Sequence, residues 1–246
     1  MVLGAAVIAG AFVAGVLAGI TGFGFNLLTV PILALAIEPR AAVIVSLLAG
    51  VAVSGWLLTS TETRSQVDVR LTAGLFACSL LGLPIGALLL ANAGPVVLKT
   101  SIGLITVAYS LPLLLSKKGW PTPPRYVAAP AAVVSGILSA STGLSGPPVI
   151  LFLQSQQVSA ARMRATLGAY FFLVTLATVG VLAIAGLISR ESLLYSLPII
   201  PVSVFGVDLG RRVFSKISGQ TFSGLVIVLL LAMGLLNVLG ALPFRR

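Results

Sequence analysis

The sequence predicts an all-α polytopic membrane protein made of two homologous halves, each a broken helical unit followed by three transmembrane helices. Three observations carry that expectation: long apolar runs without charge, a proline-rich midpoint, and a glycine-rich interruption that occurs twice. Of 246 residues, 58% are hydrophobic and 8% charged, against about 25% charged in ordinary soluble domains. Apolar runs lie near 2–37, 40–59, 69–91, 96–115, 127–153, 165–188, 192–209 and 220–241. Most reach the roughly 20 residues that a spanning helix needs. One of them, AAVIVSLLAGVAVSGWLLTS at 41–60, holds no charge at all.

The first and fifth runs are the interrupted ones. Residues 15–31 read GVLAGITGFGFNLLTVP, and residues 136–152 read GILSASTGLSGPPVILF. A shift of 121 positions lays Gly15 on Gly136, Leu17 on Leu138, and Thr21-Gly22 on Thr142-Gly143. Paired, interrupted hydrophobic segments point to the substrate site of a transporter. A second echo sets Gly82-Leu83-Pro84-Ile85-Gly86 against Gly206-Val207-Asp208-Leu209-Gly210, and small residues at that spacing suit close helix packing in lipid.

The midpoint is SKKGWPTPPR (116–125), where prolines at 121, 123 and 124 forbid helix. The chain therefore divides into a first membrane repeat (1–118), a Pro-rich linker (119–125) and a second membrane repeat (126–246). Two topologies satisfy this division. If each broken unit crosses once, the halves are parallel and the basic residues divide eight to seven between the two sides. If each unit enters and returns, each half has three crossings and the halves are inverted. Arg64, Arg70, Lys117, Lys118, Arg125, Arg162, Arg164, Arg211, Arg212 and Lys216 then face Arg40, Lys99, Arg190, Arg245 and Arg246. That bias of ten to five obeys the positive-inside rule and favours inverted repeats.

The same placement explains the net charge of +10. Basic residues gather at span ends, where they orient the protein and meet anionic membrane lipid, so nucleic acid is not an expected partner. The first positive residue is Arg40, beyond the first apolar run, which argues against a cleavable signal peptide. Cys78 is the single cysteine, so no intrachain disulfide forms. An integral protein of a cell membrane is expected, and a homodimer is left open.

A helix broken in lipid leaves backbone groups that need protein or a polar cavity around them. Gly22 and Gly24 permit positive φ and close approach of a ligand. Helices resuming at about 26 and 147 would turn free N–H groups and positive dipole ends toward such a cavity, an anion site without lysine. Asn26 and Ser145 stand where N-caps would, and Pro147 suits a first turn. The hydroxyls of Thr21, Ser141, Thr142 and Ser145 complete the expected site.

The patterns G-x-x-x-G-x-T-G-F-G-F-N…V-P and S-G-I-L-S-A-S-T-G-L-S-G-P-P resemble those of the sulfite exporter TauE/SafE family, as do chain length and span count. The resemblance implies a permease for sulfite, an organosulfonate or another small organic anion, without cofactor or metal. It implies a substrate site on Thr21, Gly22, Phe23, Gly24, Phe25, Asn26, Thr142, Gly143, Leu144, Ser145, Gly146 and Pro147. One departure is visible: many relatives look richer in glycine where this chain has Phe23 and Phe25, which implies a narrower, greasier cavity.

Outside the breaks, Arg162 and Arg164 are either anion contacts or membrane anchors, and Gln154, Gln156 and Gln157 line either a path or a loop. Asp208 is the one acid well inside an apolar run, a candidate for coupling or for an ion pair with Arg211 or Arg212. Glu38, Glu62, Asp68 and Glu191 fall at loop positions and read as solvated. An intramembrane enzyme is the rival class, because Gly143-Leu144-Ser145-Gly146 resembles a rhomboid-type serine segment. That chemistry needs a histidine base, and the chain has no histidine. A passive channel or a membrane subunit of a larger complex stays open as an alternative to a carrier. The inverted topology predicts that cysteines placed at positions 40 and 117 react with impermeant reagents from opposite sides; reaction of both from one side overturns it.

Overall fold

The computed structural model describes residues 2–59, 64–115, 124–156, 159–213, 231–232 and 234–240, and every regular element among them is helical. The first half supplies α1 (Val2–Thr21), α2 (Phe25–Ala36), α3 (Pro39–Leu57), α4 (Val69–Asn92) and α5 (Pro95–Leu115). A 3-10 turn at Arg125–Val127 leads into α6 (Ala128–Thr142), α7 (Gly146–Ser155), α8 (Ala160–Ile184) and α9 (Arg190–Val213). Residues 231–232 and 234–240 are also helical. Lys117, Lys118, most of the Pro-rich linker, Glu62, Gln157, Lys216, Arg245 and Arg246 lie outside the described residues.

The spans begin at side-chain caps. Glu38 accepts from the Ala41 amide at 2.9 Å ahead of α3, and Asp68 accepts from Leu71 at 3.0 Å ahead of α4. Both acids were expected as loop residues, and their capping role is what the structure adds. Ser159 accepts from Arg162 at 3.3 Å and starts α8 earlier than hydropathy suggested. Arg162 and Arg164 consequently sit inside the first turns of a helix rather than ahead of one.

Both interrupted runs break where expected, and both double back. The return arms are short, 12 residues in α2 and 10 in α7. At about 1.5 Å per residue each covers roughly half of a ~30 Å hydrocarbon layer, so neither crosses it. A Cβ added at Gly10 on α1 would stand 2.8 Å from the Ile32 side chain on α2, which places the two arms side by side. In the second unit Ala128 and Ala129, at the start of α6, share a pocket with Phe152 and Gln156 near the end of α7.

The two sequence echoes meet in space, each on the other half. Gly15 and Gly19 of α1 lie against the Ser203 and Val207 carbonyls of α9, while Gly206 and Gly210 of α9 lie against the Phe12 and Val16 carbonyls of α1. In the mirrored contact, Gly136 of α6 meets the Ser79 carbonyl of α4, and Gly82 and Gly86 of α4 meet the Val133 and Ile137 carbonyls of α6. Phe12 and Val16 correspond to Val133 and Ile137 at the shift of 121. In both contacts the partners run parallel, because residue numbers rise together along each pair. A helix pair held by small residues brings backbones close enough for dispersion to replace the hydrophobic effect, which is absent within lipid.

Four helices (α3, α4, α8 and α9) are long and apolar enough to span a membrane among the described residues. Their outer faces suit lipid: Leu81, Leu88, Ile184, Leu197 and Phe205 are all largely exposed. The basic residues separate by end. Arg162 pairs with Asp68, Arg212 pairs with Asp208, Arg211 donates to the Trp56 carbonyl and Arg64 to that of Leu58, all where α3 and α9 end and α4 and α8 begin. Arg40 donates to the Ala91 carbonyl at 3.0 Å at the opposite end.

A Cβ at Gly136 or Gly210 would stand 2.1 Å from a backbone carbonyl, whereas one at Gly180 meets nothing within 4 Å. Gly136→Ala and Gly210→Ala should each destabilise the purified protein by about 1–3 kcal/mol through overpacking. Gly180→Ala should leave it unchanged or gain a few tenths of a kcal/mol, up to about 1, from helix propensity. Thermal melts in detergent decide, and equal melts for all three would refute the glycine interlock.

Candidate functional site at the two helix breaks

Each break is built by the same chemistry. A helix ending in apolar surroundings must satisfy its last carbonyls. The Thr21 hydroxyl shares its proton between the Leu17 carbonyl at 2.8 Å and the Phe23 carbonyl, and the Thr142 hydroxyl donates to Leu138 at 2.9 Å. The following glycines then leave the helix in the left-handed region, Gly22 at φ 81° and Gly143 at φ 73°. Their amides return to the Ala18 and Ser139 carbonyls at 2.7 and 3.0 Å, the usual left-handed C-terminal turn. The repeated Thr-Gly pair is thus a helix-stopping device.

That finding corrects one expectation. The hydroxyl protons of Thr21, Thr142 and Ser141 are committed to backbone carbonyls, Ser141 donating to Ile137 at 2.7 Å. None of the three lines the cavity between the breaks, and neither do Gly22 and Pro147. Phe23, Gly24, Phe25 and Asn26 from the first break do line it, together with Gly143, Leu144, Ser145 and Gly146 from the second. The two discontinuities therefore share one cavity, closed by Gly50, Ser54 and Leu57 of α3 and by Phe171 and Thr175 of α8. Its volume is about 30 Å³. That exceeds the roughly 10–15 Å³ a water needs, and admits only a compact solute. Phe23 and Phe25 both line it.

The caps differ from expectation as well. Gly24, at φ 87°, caps α2, so Asn26 lies inside the first turn. Its Oδ1 instead accepts from the Ser46 hydroxyl at 3.1 Å, which leaves the Nδ2 donors outside that bond. A glycine cap leaves the amides of Phe25, Asn26 and Leu27 without partners inside their own helix. Ser145 does occupy the cap position of α7, but its side chain makes no cap bond. The second helix start is also poorer in donors: Pro147 and Pro148 have no N–H, so Gly146 alone presents an amide from that first turn. Positive potential at the cavity is concentrated at α2.

Residues remote in sequence hold these ends in place. The Ser145 carbonyl accepts from the Ser135 hydroxyl, which in turn accepts from the fully buried Tyr170 at 2.7 Å. Ser139 and Thr178 join α6 to α8 at 2.8 Å. Arg164 packs over Gly22, its Nε 3.0 Å from where a Cβ would stand, and its Nη2 donates to the Gly19 carbonyl at 3.3 Å. A cation at the C-terminal end of α1 is favourable for that helix dipole. At the corresponding place on the second break, Gly143 is covered by Val30 and Val43. Arg164 thus supports the first break from behind and has no counterpart at the second.

The remaining candidates stand apart from the cavity. Arg162 pairs with Asp68 at 2.8 Å at the basic end, and Gln154 is exposed on α7. Asp208 is held by Arg212 at 2.9 Å and by the Trp56 indole N–H at 3.4 Å, so the ion-pair alternative is the observed one. Among the described residues no three His, Cys, Asp or Glu side chains are grouped to hold a metal. Serines and threonines on otherwise apolar spans (Ser46, Ser54, Ser135, Thr175) were the available signal for the supporting residues.

The sequence model of the family described as Sulfite exporter TauE/SafE matches residues 7–236, a range that includes both breaks and both glycine echoes. The chain belongs to that family. It is an integral membrane transport protein of the sulfur-anion exporter type, in keeping with a transporter rather than an enzyme. No curated protein and no solved structure matches the chain.

Gly22 and Gly24 share a left-handed φ but not their surroundings: a Cβ at Gly24 finds its nearest neighbour, Leu27, at 4.0 Å. Gly24→Ala should cost about 1–2 kcal/mol from backbone strain alone. Gly22→Ala should cost that and a further loss from collision with Arg164, and Arg164→Ala should relieve part of the further loss, since the Cβ at 3.1 Å remains. A double-mutant cycle of melting temperatures tests this, and simple additivity would refute the contact.

Proposed function

We propose that this member of the sulfite exporter TauE/SafE family is a secondary carrier that binds a small oxyanion, sulfite or a small organosulfonate, in the cavity between its two helix breaks. The observation that carries the reading is the meeting of Gly24–Leu27 and Gly143–Gly146 around one small cavity. The free amides of Phe25, Asn26 and Leu27 at the start of α2 supply donors and the positive end of a helix dipole. The Asn26 amide and the hydroxyls of Ser54, Ser145 and Thr175 add further donors in the wall. Hydrogen bonds of this kind replace the hydration of an anion without placing a full positive charge in the cavity.

Transport in this reading is alternating access, with the two halves inverted relative to each other and rocking about the shared site. Two observations support it. Both broken units return toward the side they came from, and each is followed by two long apolar helices, α3 and α4 in the first half and α8 and α9 in the second. The glycine contacts α1–α9 and α4–α6 also relate the halves pairwise, so that each broken unit moves with a helix of the other half. A carrier is favoured over a channel because the central cavity shares no lining residue with the large pocket at either end.

Purified protein reconstituted in liposomes should take up sulfite with saturation and counterflow. Asn26→Leu should still fold, with a lowered melting temperature because the buried Ser46 hydroxyl loses its partner, yet bind sulfite about tenfold more weakly or worse, the effect of losing a buried donor worth about 1–3 kcal/mol. Linear, unsaturated flux would replace the carrier by a channel. Full sulfite binding by a folded Asn26→Leu protein would remove the cavity from the reading.

A further inference from the structure

The molecule carries a large pocket at each end, about 550 Å³ at the basic end and about 500 Å³ at the other. They occupy corresponding places. The first lies at the start of α4 and of α8, the second at the start of α9 and of α3, the matching helices of the opposite halves. The correspondence holds residue by residue. Asp68 caps α4 through the Leu71 amide and Ser189 caps α9 through the Ser192 amide. Counted from these caps, the same four positions line each pocket: Asp68, Arg70, Leu71 and Gly74 in one, Ser189, Glu191, Ser192 and Tyr195 in the other. The charges they carry are opposite. Asp68, Arg70 and Arg162 sum to one net positive charge, whereas Glu38, Arg40 and Glu191 sum to one net negative charge. Position for position, Arg70 faces its pocket where Glu191 faces the other.

The surroundings sharpen the contrast. Asp68 is already engaged by Arg162 at 2.8 Å, which leaves Arg70 as the unneutralised charge of its pocket. The Leu71 amide and then Arg162 hold the Asp68 carboxyl below its ordinary pKa, so it remains an anion at neutral pH and the sum stands. At the opposite end Arg40 is turned to the Ala91 carbonyl, and Glu191 accepts from the Tyr195 hydroxyl at 2.8 Å. A recess lined by one sign of charge with low-dielectric walls concentrates ions of the other sign.

We infer that the pocket around Arg70 and Arg162 is a recruitment site for the transported anion, and that the corresponding pocket around Glu38 and Glu191 expels it, so the carrier loads preferentially from its basic end. This rests on the anion-carrier reading above, and it assigns to Arg70 and Glu191 a part in directionality that the central cavity does not provide. Neither residue touches the central cavity, so the effect is on local anion concentration and not on the chemistry of the bound state.

The test has a readout independent of transport. Cys78, the single cysteine, lines the basic-end pocket. In full-length purified protein its modification rate is measured with a negatively charged (sulfonatoethyl) and a positively charged (trimethylammonioethyl) methanethiosulfonate. The ratio of rates, anionic over cationic, should fall about tenfold in Arg70→Glu and about threefold in Arg70→Gln, as expected for one or two charges near 10 Å in a water-filled recess. Wild type should lose its preference as salt rises past the screening regime. Leu187→Cys in a Cys78→Ser background reports the opposite pocket and should prefer the cationic reagent, a preference that Glu191→Arg reverses. In oriented proteoliposomes Arg70→Glu should raise KM for sulfite several-fold from the basic side only, with kcat unchanged. Equal ratios at Cys78 in wild type and Arg70→Glu, or the same reagent preference in both pockets, overturn the inference even if sulfite is carried. Correct ratios without sulfite flux overturn the carrier reading and leave the pocket charges standing.

Discussion

A polypeptide that stops a helix inside hydrocarbon must find partners for backbone groups that water would otherwise take. Everything particular to this molecule follows from that constraint. Each unpaired amide or carbonyl in such a medium costs several kcal/mol, so a break survives only where its groups are matched one by one. The C-terminal sides of both breaks are matched internally, by the hydroxyls of Thr21 and Thr142 and by the returning amides of Gly22 and Gly143. The N-terminal side of α2 is left unmatched within its own helix. The molecule thus separates the polarity of its breaks: carbonyl ends are sealed, and amide ends face the cavity. As the proposed anion site, such a wall would discriminate by charge without any ionised side chain.

The sealing depends on how the halves are joined. α1 and α6 are the first arms of the two broken units, and each lies in backbone contact with a helix of the other half through glycines that admit no side chain. Such contacts are stiff, because a helix face with no Cβ cannot slide without losing its fit. In the proposed carrier the broken arms would move as rigid partners of α9 and α4, and movement between the halves would fall to the less tightly joined surfaces. The cavity lies at such a surface, with α3 and α8 closing it from opposite halves.

Much of this was legible in the sequence, for identifiable reasons. The position of each break followed from Thr-Gly in an apolar run, because only glycine takes the left-handed turn cheaply. The glycine echoes were legible as packing because spacing of small residues is a local property. What one helix does to another was not. Ser135, Tyr170 and Arg164 act on breaks from 10 to 145 positions away, and nothing local to those residues announces it. The hydroxyls of Thr21, Ser141 and Thr142 were assigned to a ligand because a sequence does not show that a carbonyl four residues back has already taken the proton. Asn26 was taken for the cap although it lies two residues inside it, since Gly24, with φ positive, holds that position.

The duplicated architecture is most informative where its copies disagree. The first helix start presents Phe25, Asn26 and Leu27 amides, while Pro147 and Pro148 silence the matching positions of the second. Arg164 stands behind Gly22, while Val43 stands behind Gly143. Arg70 faces one outer pocket, while Glu191 faces the other. Every one of these substitutions adds positive character on the side of the first break or the basic end, and removes it from the counterpart. Two identical halves would give a site equally accessible and equally attractive from both faces of the membrane. Divergence in sign at matched positions breaks that equivalence while leaving the glycine interlock intact, because the interlock uses backbone atoms and the bias uses side chains. Packing and polarity can then vary independently within one fold.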